Sequence, residues 1–303
     1  MCGAAGDRVS AGCAGDARRL VIRDVKPWVW ICRPPSLLLL EWRVVATDND
    51  RLSAREDSSA ATAALYERIY GSSVDEDAWH AHSTRVIATF IGDALRRLRP
   101  NRSLDVGCGV WRYVAGVRPF LLDLVPSVFV PGEAAVVGDV TSLPFKAAEI
   151  DLAVCVGSVL NYVNAQHCID EISRVVRPGG TLVLEYERSG RGARRRSTEP
   201  DAENCTEVVS YRGIVHTITL YTDRHIEELL DAKGFRVVRR QPYHIFSSVA
   251  LLFTRSEERA AGLTRLDRSP LARVLAPFAA NVILECVKRP LHRLGRRAPA
   301  RSS

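Results

Sequence analysis

The chain has 303 residues, enough for one large α/β domain with appendages or for two small domains. Hydrophobic residues make up 47% and charged residues 25%, which is ordinary for a globular protein. The eight cysteines form no C-x-x-C pair, and a chain this long does not need a disulfide framework. We therefore expect no metal site, free thiols and a cytoplasmic setting. No segment reaches the roughly 18 apolar residues of a membrane span.

The net charge of +7 is unevenly placed along the chain. From Ser256 to Ser303, ten Lys and Arg residues stand against four Asp and Glu residues, so most of the excess lies there. Only four of the 42 basic residues are Lys, and an Arg excess of this kind arises from compositional bias as readily as from a phosphate-binding surface. We expect no nucleic-acid partner. The oligomeric state stays open.

Composition and periodicity divide the chain into three parts. Residues 1–59 show weak periodicity and receive no function. Residues 60–289 are predicted to form one domain, in which 188–221 and 246–280 are insertions on the substrate side. Residues 290–303 are predicted to be a solvated basic tail.

The first half of the domain changes from helical to strand periodicity. Apolar spacing predicts a helix over residues 76–98 that Pro100 ends. Five short apolar runs then predict strands at residues 103–106, 119–124, 134–137, 151–156 and 181–186. Before the last of them, Ile169 and Ile172 lie on one face of an amphipathic helix that Pro178-Gly179-Gly180 would close. Apolar strands that alternate with connections predict a parallel sheet covered on both faces.

The second half of the domain is less regular. Residues 206–221 alternate like a β-hairpin that turns at Arg212-Gly213. Thr222 is a candidate N-cap for a helix that ends at Gly234. A strand is predicted over 235–238, residues 247–279 are predicted to be helical, and 281–287 are predicted to form the last strand.

One sequence motif points to a ligand. Residues 104–109 read Leu-Asp-Val-Gly-Cys-Gly directly after a predicted strand. Gly107 and Gly109 allow a sharp turn and a close approach to a ligand. In doubly wound folds the first such crevice binds nucleotides, and an acid at the end of the next strand, here Asp123, takes the ribose hydroxyls.

The motifs that follow are more specific. Residues 138–145 read Gly-Asp-Val-Thr-Ser-Leu-Pro-Phe, and residues 149–155 read Glu-Ile-Asp-Leu-Ala-Val-Cys. Residues 157–163 read Gly-Ser-Val-Leu-Asn-Tyr-Val, and residues 171–180 read Glu-Ile-Ser-Arg-Val-Val-Arg-Pro-Gly-Gly. In this order they resemble the class I S-adenosylmethionine (SAM)-dependent methyltransferases, in particular those that modify small molecules. The resemblance covers about residues 100–187.

The resemblance implies a fold, a cofactor and a reaction. The fold would be a doubly wound, mostly parallel seven-stranded α/β sheet with helices on both faces and its last strand antiparallel, plus the hairpin and helical insertions. The cofactor would be S-adenosyl-L-methionine. The reaction would be transfer of its methyl group to a small-molecule acceptor such as a specialised metabolite.

The resemblance also implies a cofactor site at eight positions: Asp105, Gly107, Gly109, Asp123, Asp139, Val140, Val156 and Gly157. The first three would line the methionine end, and Asp123 would bind the ribose hydroxyls. Asp139 and Val140 would contact the adenine, and the last two would border the methyl group. Asp123 and Asp139 also fit as ordinary turn residues, so this alternative stays open.

Two departures from the family pattern motivate other functions. Trp111 stands where the family usually has a third glycine, and its indole would either crowd the methionine arm or pack over it. The connections from Asp105 to Asp123 and from Asp123 to Asp139 are short, which leaves little room for full helices. A non-catalytic partner protein with this fold is therefore one alternative. Methylation of RNA or protein is another, motivated by Arg194-Arg195-Arg196 and the basic tail.

Methyl transfer needs a general base only when the acceptor must lose a proton. Histidine is the favoured side chain near neutral pH. His244, just after a predicted strand, and His216, in the hairpin insertion, are the candidates, and each also fits as a structural histidine. Asn161 and Tyr162 follow the fourth strand and would either orient an acceptor or start the next helix.

Overall fold

The computed structural model describes residues 52–72, 77–114, 119–189, 204–254 and 256–290. The N-terminal residues before 52, the Arg-rich stretch at 190–203 and the tail after 290 lie outside this range, and so do the expectations that concern them. Helices and 3-10 turns occupy the following segments: α1 Leu52–Tyr70, α2 Ala78–Leu98, α3 Ala165–Val175, α4 Asp223–Ala232, α5 Ile245–Thr254, α6 Glu257–Ala261 and α7 Ala272–Leu275, with turns at Pro126–Val128, Val159–Tyr162, Thr264–Arg268 and Ala276–Phe278.

The strands form one large sheet and one hairpin. Their bounds are β1 Ser103–Val106, β2 Phe120–Asp123, β3 Ala135–Val137, β4 Ile150–Cys155, β5 Val176–Glu187, β6 Asn204–Tyr211, β7 Ile214–Tyr221, β8 Phe235–Tyr243 and β9 Asn281–Lys288. The seven-stranded sheet has the order β3-β2-β1-β4-β5-β9-β8, and β6 pairs with β7. Neighbours from β3 to β5 are parallel, whereas β9 runs antiparallel to both β5 and β8. The predicted fold class is thereby confirmed.

Both faces of the sheet are covered, as the apolar strands predicted. In β4, Leu152 and Val154 pack on the side of α2 with Ile87, Phe90 and Ile91. Ala153 and Cys155, which alternate with these residues, point to the opposite side of the sheet. There they join a core that includes residues of α3 and α4. Because successive strand residues face opposite sides, a strand buried on both has an unbroken apolar sequence.

Several local predictions are met closely. The helix predicted over 76–98 is α2, which Asp77 caps by accepting from the His80 backbone N–H. Thr222 caps α4 by accepting from the His225 backbone N–H. The hairpin turns at Arg212-Gly213, and β9 forms the last strand. The described cysteines are free: Cys108, Cys155, Cys168, Cys205 and Cys286.

Other elements differ from their predicted bounds. Within the described residues, the first helix already begins at Leu52 rather than near residue 60. Val176 does not extend α3 but opens β5, which carries Pro178-Gly179-Gly180 within it and whose register against β4 shifts between Ile150 and Leu152. The segment 247–279 is broken into short helices and turns. Two connections join β1 to β2 and β2 to β3. In their described residues the only helical segment is the turn Pro126–Val128, because the connections are too short for a helix that crosses the sheet.

Asn161 fixes the loop after β4 against two strands. The residue is 1% exposed. Its amide nitrogen donates to the carbonyl oxygens of Glu187 at 3.0 Å and Thr219 at 2.7 Å, and its amide oxygen accepts from the Glu187 backbone N–H at 2.8 Å. All polar atoms of the side chain are thereby engaged with backbone. Of the two roles open from sequence, a structural one therefore fits Asn161.

Asn161→Ala is expected to destabilise the fold by about 2–4 kcal/mol, because it leaves buried backbone groups of β5 and β7 unpaired. The midpoint of urea unfolding measures the loss. Asn164→Ala is the matched comparison: Asn164 is exposed and accepts one hydrogen bond, from the His167 backbone N–H, as the N-cap of α3, so about 1 kcal/mol is expected. Equal losses in the two variants would contradict this role for Asn161.

Candidate functional site

A cavity that is partly open to solvent lies at the carboxyl ends of β1, β2 and β4, and its enclosed volume is about 90 Å³. The strand ends and their loops form its floor, and α1 forms its roof. It is lined by Thr62, Tyr66, Tyr70, Gly107, Cys108, Gly109, Trp111, Tyr113, Asp123, Leu124, Val140, Val156, Gly157, Val159, Tyr162 and Val163. Six of the eight predicted cofactor residues belong to this lining; Asp105 and Asp139 do not.

The glycine turn after β1 is held close to β2. The backbone N–H groups of Gly107 and Cys108 both donate to the Leu122 carbonyl, at 2.8 and 3.0 Å. Gly107 has a φ of +69°, and a Cβ at that position would lie 2.7 Å from the Val159 side chain. Gly109 has a φ of +53°, and its Cβ would lie 2.8 Å from the Tyr70 hydroxyl. Both positions therefore require glycine for conformation and for space.

Arg112 supports this turn from behind. Its guanidinium donates to the carbonyl oxygens of Gly109 at 2.8 Å and Val128 at 2.7 Å, and it forms a two-pronged ion pair with Glu133 at 2.6 and 2.9 Å. No helix follows β1 in the part of the connection that the structure describes. The Arg112 guanidinium thus holds the glycine turn in place, a role that a helix directly after β1 would otherwise have.

Asp105 lies in β1 directly before the turn and is 1% exposed. Its Oδ2 atom has no hydrogen-bond partner among the described residues. Burial raises the pKa of Asp105 to about 7; Arg112 opposes the shift and the carboxylate of Asp123 adds to it. An enclosed carboxyl oxygen without a partner fits a site for a cationic group, as the methionine end of SAM requires.

Asp123 ends β2 and lines the cavity. One carboxyl oxygen accepts from the Gly109 backbone N–H at 2.8 Å and the other from the Val125 backbone N–H at 3.0 Å. Burial raises the pKa of Asp123, although these backbone hydrogen bonds oppose the shift. Each oxygen keeps acceptor capacity for a hydroxyl, so Asp123 fits both the predicted ribose contact and the turn role that was left open.

The two residues predicted to contact the adenine, Asp139 and Val140, have different surroundings in the structure. Val140 is buried and lines the cavity. Asp139 instead accepts from the backbone N–H of Thr141 at 2.7 Å and from its hydroxyl at 2.8 Å, and the Ser59 hydroxyl of α1 also donates to it. This arrangement favours the turn interpretation of Asp139, with a further contact that ties α1 to the rim.

The end of β4 leaves room on the cavity side. Val156 and Gly157 both line the cavity. Gly157 has a φ of +76°, and a Cβ there would meet no atom within 4 Å. The space beside Gly157 is therefore open for a ligand. The placement of these two residues next to the methyl group stays a prediction.

Trp111 lies at the rim of the same cavity. It lines the cavity and is 41% exposed. A side chain that is in contact with both the cavity and solvent is positioned to pack over a ligand rather than to fill its place. Of the two roles considered for this indole, the geometry favours the covering one.

His244 does not belong to the cavity lining. It is completely buried and stacks on Trp79 with ring centroids 3.8 Å apart. Its two ring nitrogens lie 2.9 Å from the Ser83 hydroxyl and 3.0 Å from the Ser247 hydroxyl. Burial holds the pKa of His244 well below its usual value, and His82 adds to this. These contacts favour the structural role that was left open for His244.

His216 reaches the cavity through Tyr162. Its Nδ1 lies 3.0 Å from the Ile214 carbonyl oxygen, and its Nε2 lies 2.8 Å from the Tyr162 hydroxyl. A carbonyl can only accept, so Nδ1 carries the proton and Nε2 accepts from the hydroxyl of Tyr162. Tyr162 lines the cavity and packs edge-on against Tyr66 of α1. The hairpin thus brings an imidazole to the end of the cavity that borders β4.

The buried Glu185 and the partly buried Glu187 lie next to this end. Glu185 accepts from the Ser158 backbone N–H at 2.7 Å, from the Tyr243 hydroxyl at 2.8 Å and from the Asn281 amide at 2.9 Å. Glu187 accepts from the Ser158 hydroxyl at 2.9 Å. Burial raises the pKa of Glu187 to about 7, and the neighbouring Glu185 adds to the shift.

Sequence reasoning missed three parts of the site: Arg112, the tyrosines of α1 and the glutamate pair at the end of β5. The α1 tyrosines, Tyr66 and Tyr70, lie just after the region of weak periodicity at residues 1–59. No residue spacing connects Arg112 with Glu133. Only the acidic residues at 185 and 187 after an apolar run were visible in the sequence, and their spacing of two places both side chains on one side of a strand.

The sheet with its antiparallel last strand, the glycine turn and the acid at the end of β2 are the features that the resemblance to the class I, SAM-dependent methyltransferases implies. The comparison with protein families agrees: the model for the methyltransferase domain matches residues 104–184. This stretch of the chain is therefore a methyltransferase domain, a type of domain that binds SAM. Within the described residues, no helix is long and apolar enough to cross a membrane.

Solved structures of similar fold are distant in sequence. A 1,6-didemethyltoxoflavin N1-methyltransferase from Burkholderia thailandensis is 16% identical, with 81% of this chain and 94% of that chain covered and a TM-score of 0.49. The cyclase SpnF is 17% identical, with 67% and 82% covered and a TM-score of 0.44. A SAM-dependent methyltransferase from Methanosarcina mazei is 15% identical, with 62% and 92% covered and a TM-score of 0.44. No curated protein matches the chain.

Proposed function

We propose that the chain methylates a small molecule with a flat, apolar body that carries an ionisable O–H or N–H group, such as a specialised metabolite. The observation that carries this proposal is the roof of the cavity: Tyr66 and Tyr70 of α1 lie over the strand ends, and Tyr162 walls the end next to β4. Aromatic walls of this kind suit flat apolar ligands.

The cofactor supplies an activated methyl group, so the protein contributes chiefly position and the exclusion of water. Asp105, the glycine turn and Asp123 would hold the cofactor, and the open space beside Gly157 would receive the acceptor. The α1 tyrosines would keep water from the site. What remains for the protein is to take a proton from the acceptor when one must leave.

Tyr162 and His216 provide a path for that proton. The acceptor gives its proton to the Tyr162 oxygen while the Tyr162 hydroxyl proton passes to Nε2 of His216, which leaves a neutral tyrosine and an imidazolium. Burial raises the pKa of Tyr162, and the charge of Glu187 adds to this. A free phenolate is therefore disfavoured, so the two proton movements must be concerted. The methyl group moves to the acceptor as its proton leaves.

The size class of the acceptor is tested with SAM that carries a labelled methyl group. An extract of the source cells is separated by a filter that retains proteins and nucleic acids, and each fraction is incubated with purified protein and labelled SAM. Label is expected in the small-molecule fraction, where mass spectrometry then finds products that have gained one methyl group. Label only in the retained fraction, or in neither, would contradict the proposal.

The proton path predicts a specific kinetic result. His216→Ala and Tyr162→Phe are expected to lower kcat about 100-fold, while the affinity for S-adenosylhomocysteine, measured by calorimetry, changes little. His167→Ala is the matched control and is expected to leave kcat unchanged, because His167 only donates its backbone N–H to Asn164. If His216→Ala kept the wild-type kcat and pH profile, His216 would have no part in the reaction.

A further inference from the structure

Large apolar side chains are exposed along one stretch of the helical insertion between β8 and β9. They are Leu252, Phe253, Leu263, Leu266, Leu271 and Val274. Phe253 is 83% exposed and Val274 is 71% exposed. Single exposed apolar residues are common, but six within 23 positions indicate an interaction surface. We call these six residues and the arginines between them the apolar–arginine surface.

Of the arginines that stand between these apolar residues, four belong to the described part of the chain: Arg259, Arg265, Arg268 and Arg273. All four are exposed. Arginines elsewhere in the chain pair with carboxylates, as Arg97 does with Glu285, Arg112 with Glu133 and Arg188 with Asp223. Within the described parts of the chain, none of the four forms an ion pair.

The acidic residues of the same stretch do not neutralise this charge. Asp267 turns inward and accepts from the backbone N–H groups of Ile245 and Phe246, each at 3.0 Å. Glu257 and Glu258 are confined to the start of α6. From residue 259 to residue 274, the outward-facing charges are therefore all positive.

The insertion does not need its outward side chains in order to pack. Ile245, Ala272 and Ala279 form its buried centre, with Phe246 and Leu275 packed against them. Arg273 and Val274 follow the buried Ala272 and point away from this centre. The apolar–arginine surface is thus displayed by a unit whose own core is already filled.

We propose that the apolar–arginine surface binds the surface of a membrane that contains anionic lipids. Apolar side chains would enter the boundary of the acyl region, while guanidinium groups one or two residues away would stay at the level of the phosphates. The alternation of Leu263, Arg265, Leu266 and Arg268 provides this arrangement. Association does not depend on the identity of the methyl acceptor.

Two other occupants fit the surface less well. A symmetric contact with a second copy would place the same unpaired arginines near one another, because such an interface uses the same patch twice. Nucleic acid would find few groups on which bases stack, since Phe253 is the sole aromatic residue among the six. Protein–nucleic acid interfaces are also more polar than this one.

The test is sedimentation of the full chain with vesicles. Binding is expected to vesicles of phosphatidylcholine mixed with phosphatidylglycerol, to weaken at high salt, and to be at least tenfold weaker with phosphatidylcholine alone. Phe253→Ser combined with Val274→Ser is expected to lower binding at least tenfold. Arg268→Gln combined with Arg273→Gln is expected to lower it about fivefold for each arginine.

Matched controls carry equally exposed residues from elsewhere. Val208 and Val215 of the hairpin are 69% and 67% exposed, and Val208→Ser combined with Val215→Ser is expected to leave vesicle binding unchanged. Wild-type affinity for S-adenosylhomocysteine shows that each variant is folded. The proposal is overturned if wild-type protein does not bind anionic vesicles, or if the Phe253 and Val274 variant binds them as well as wild type. A dimer in sedimentation velocity that this variant dissociates, without vesicle binding, would assign the surface to a second copy instead.

Discussion

Gly107→Ala is expected to weaken binding of S-adenosylhomocysteine at least 100-fold. The added Cβ would lie 2.7 Å from Val159, and an alanine at a φ of +69° costs a further 1–2 kcal/mol, roughly, of backbone strain. The strain would be relieved by moving the turn away from Leu122, to which the backbone N–H groups of Gly107 and Cys108 donate. The cavity floor would then change shape where the cofactor binds. Isothermal titration calorimetry measures the effect.

Gly132→Ala is the control that separates the effect of backbone strain from an effect on the cofactor site. Gly132 has a φ of +95°, and a Cβ there would meet nothing within 4 Å. It does not line the cavity. This variant should lose some stability and keep its affinity for S-adenosylhomocysteine. Equal affinities of the Gly107 variant and wild type would show that the turn is not part of the cofactor site.

Asp105→Asn is expected to remove the pH dependence of SAM binding and to lower the affinity at pH 8 by about 100-fold. In the free protein, burial raises the pKa of Asp105 to about 7 from a usual value of 3.8. A bound cationic group favours the carboxylate, so binding below pH 7 requires the loss of a proton. Affinity should therefore fall up to about tenfold per unit as the pH drops below 7 in wild type, and stay flat in the variant. Calorimetry at several pH values measures both trends.

The raised pKa of Asp105 also predicts how the stability of the free protein depends on pH. Stability should fall as the pH rises, whereas the affinity for SAM should increase. Because the folded state holds the Asp105 proton more tightly than the unfolded state does, folding stability falls as the pH rises from about 4 to about 7. Asp105→Asn carries no charge to bury, so at pH 8 the ligand-free variant should have a Tm a few degrees above wild type. A lower Tm, or an unchanged pH dependence of binding, would contradict the role assigned to Asp105.

Thr222, which accepts from a backbone N–H three residues along the chain, was identified as a helix cap from sequence. Asp77 and Asn164 cap helices with the same spacing but were not identified, and the partners in contacts between distant residues were not identified either. The ion pair of Arg112 with Glu133 and the hydrogen bond of Tyr162 with His216 cross 21 and 54 positions. No single sequence can show which of many possible pairs forms, because burial and backbone path decide it.

The sequence by itself determined where most strands of the large sheet lie and where the glycine turn follows the first of them. A strand that is buried on both faces has an unbroken apolar sequence, which is visible without a structure. A turn with a positive φ close to another side chain, as next to Val159 and Tyr70, requires glycine. Only the tertiary structure decided how the site is closed: α1 roofs it, Arg112 replaces a missing helix, and the hairpin brings His216 to Tyr162. It also decided that His244 is buried at Trp79, since a residue that follows a strand can point either into the cavity or into the core. That choice depends on the elements packed against the strand, which the sequence of the strand does not contain.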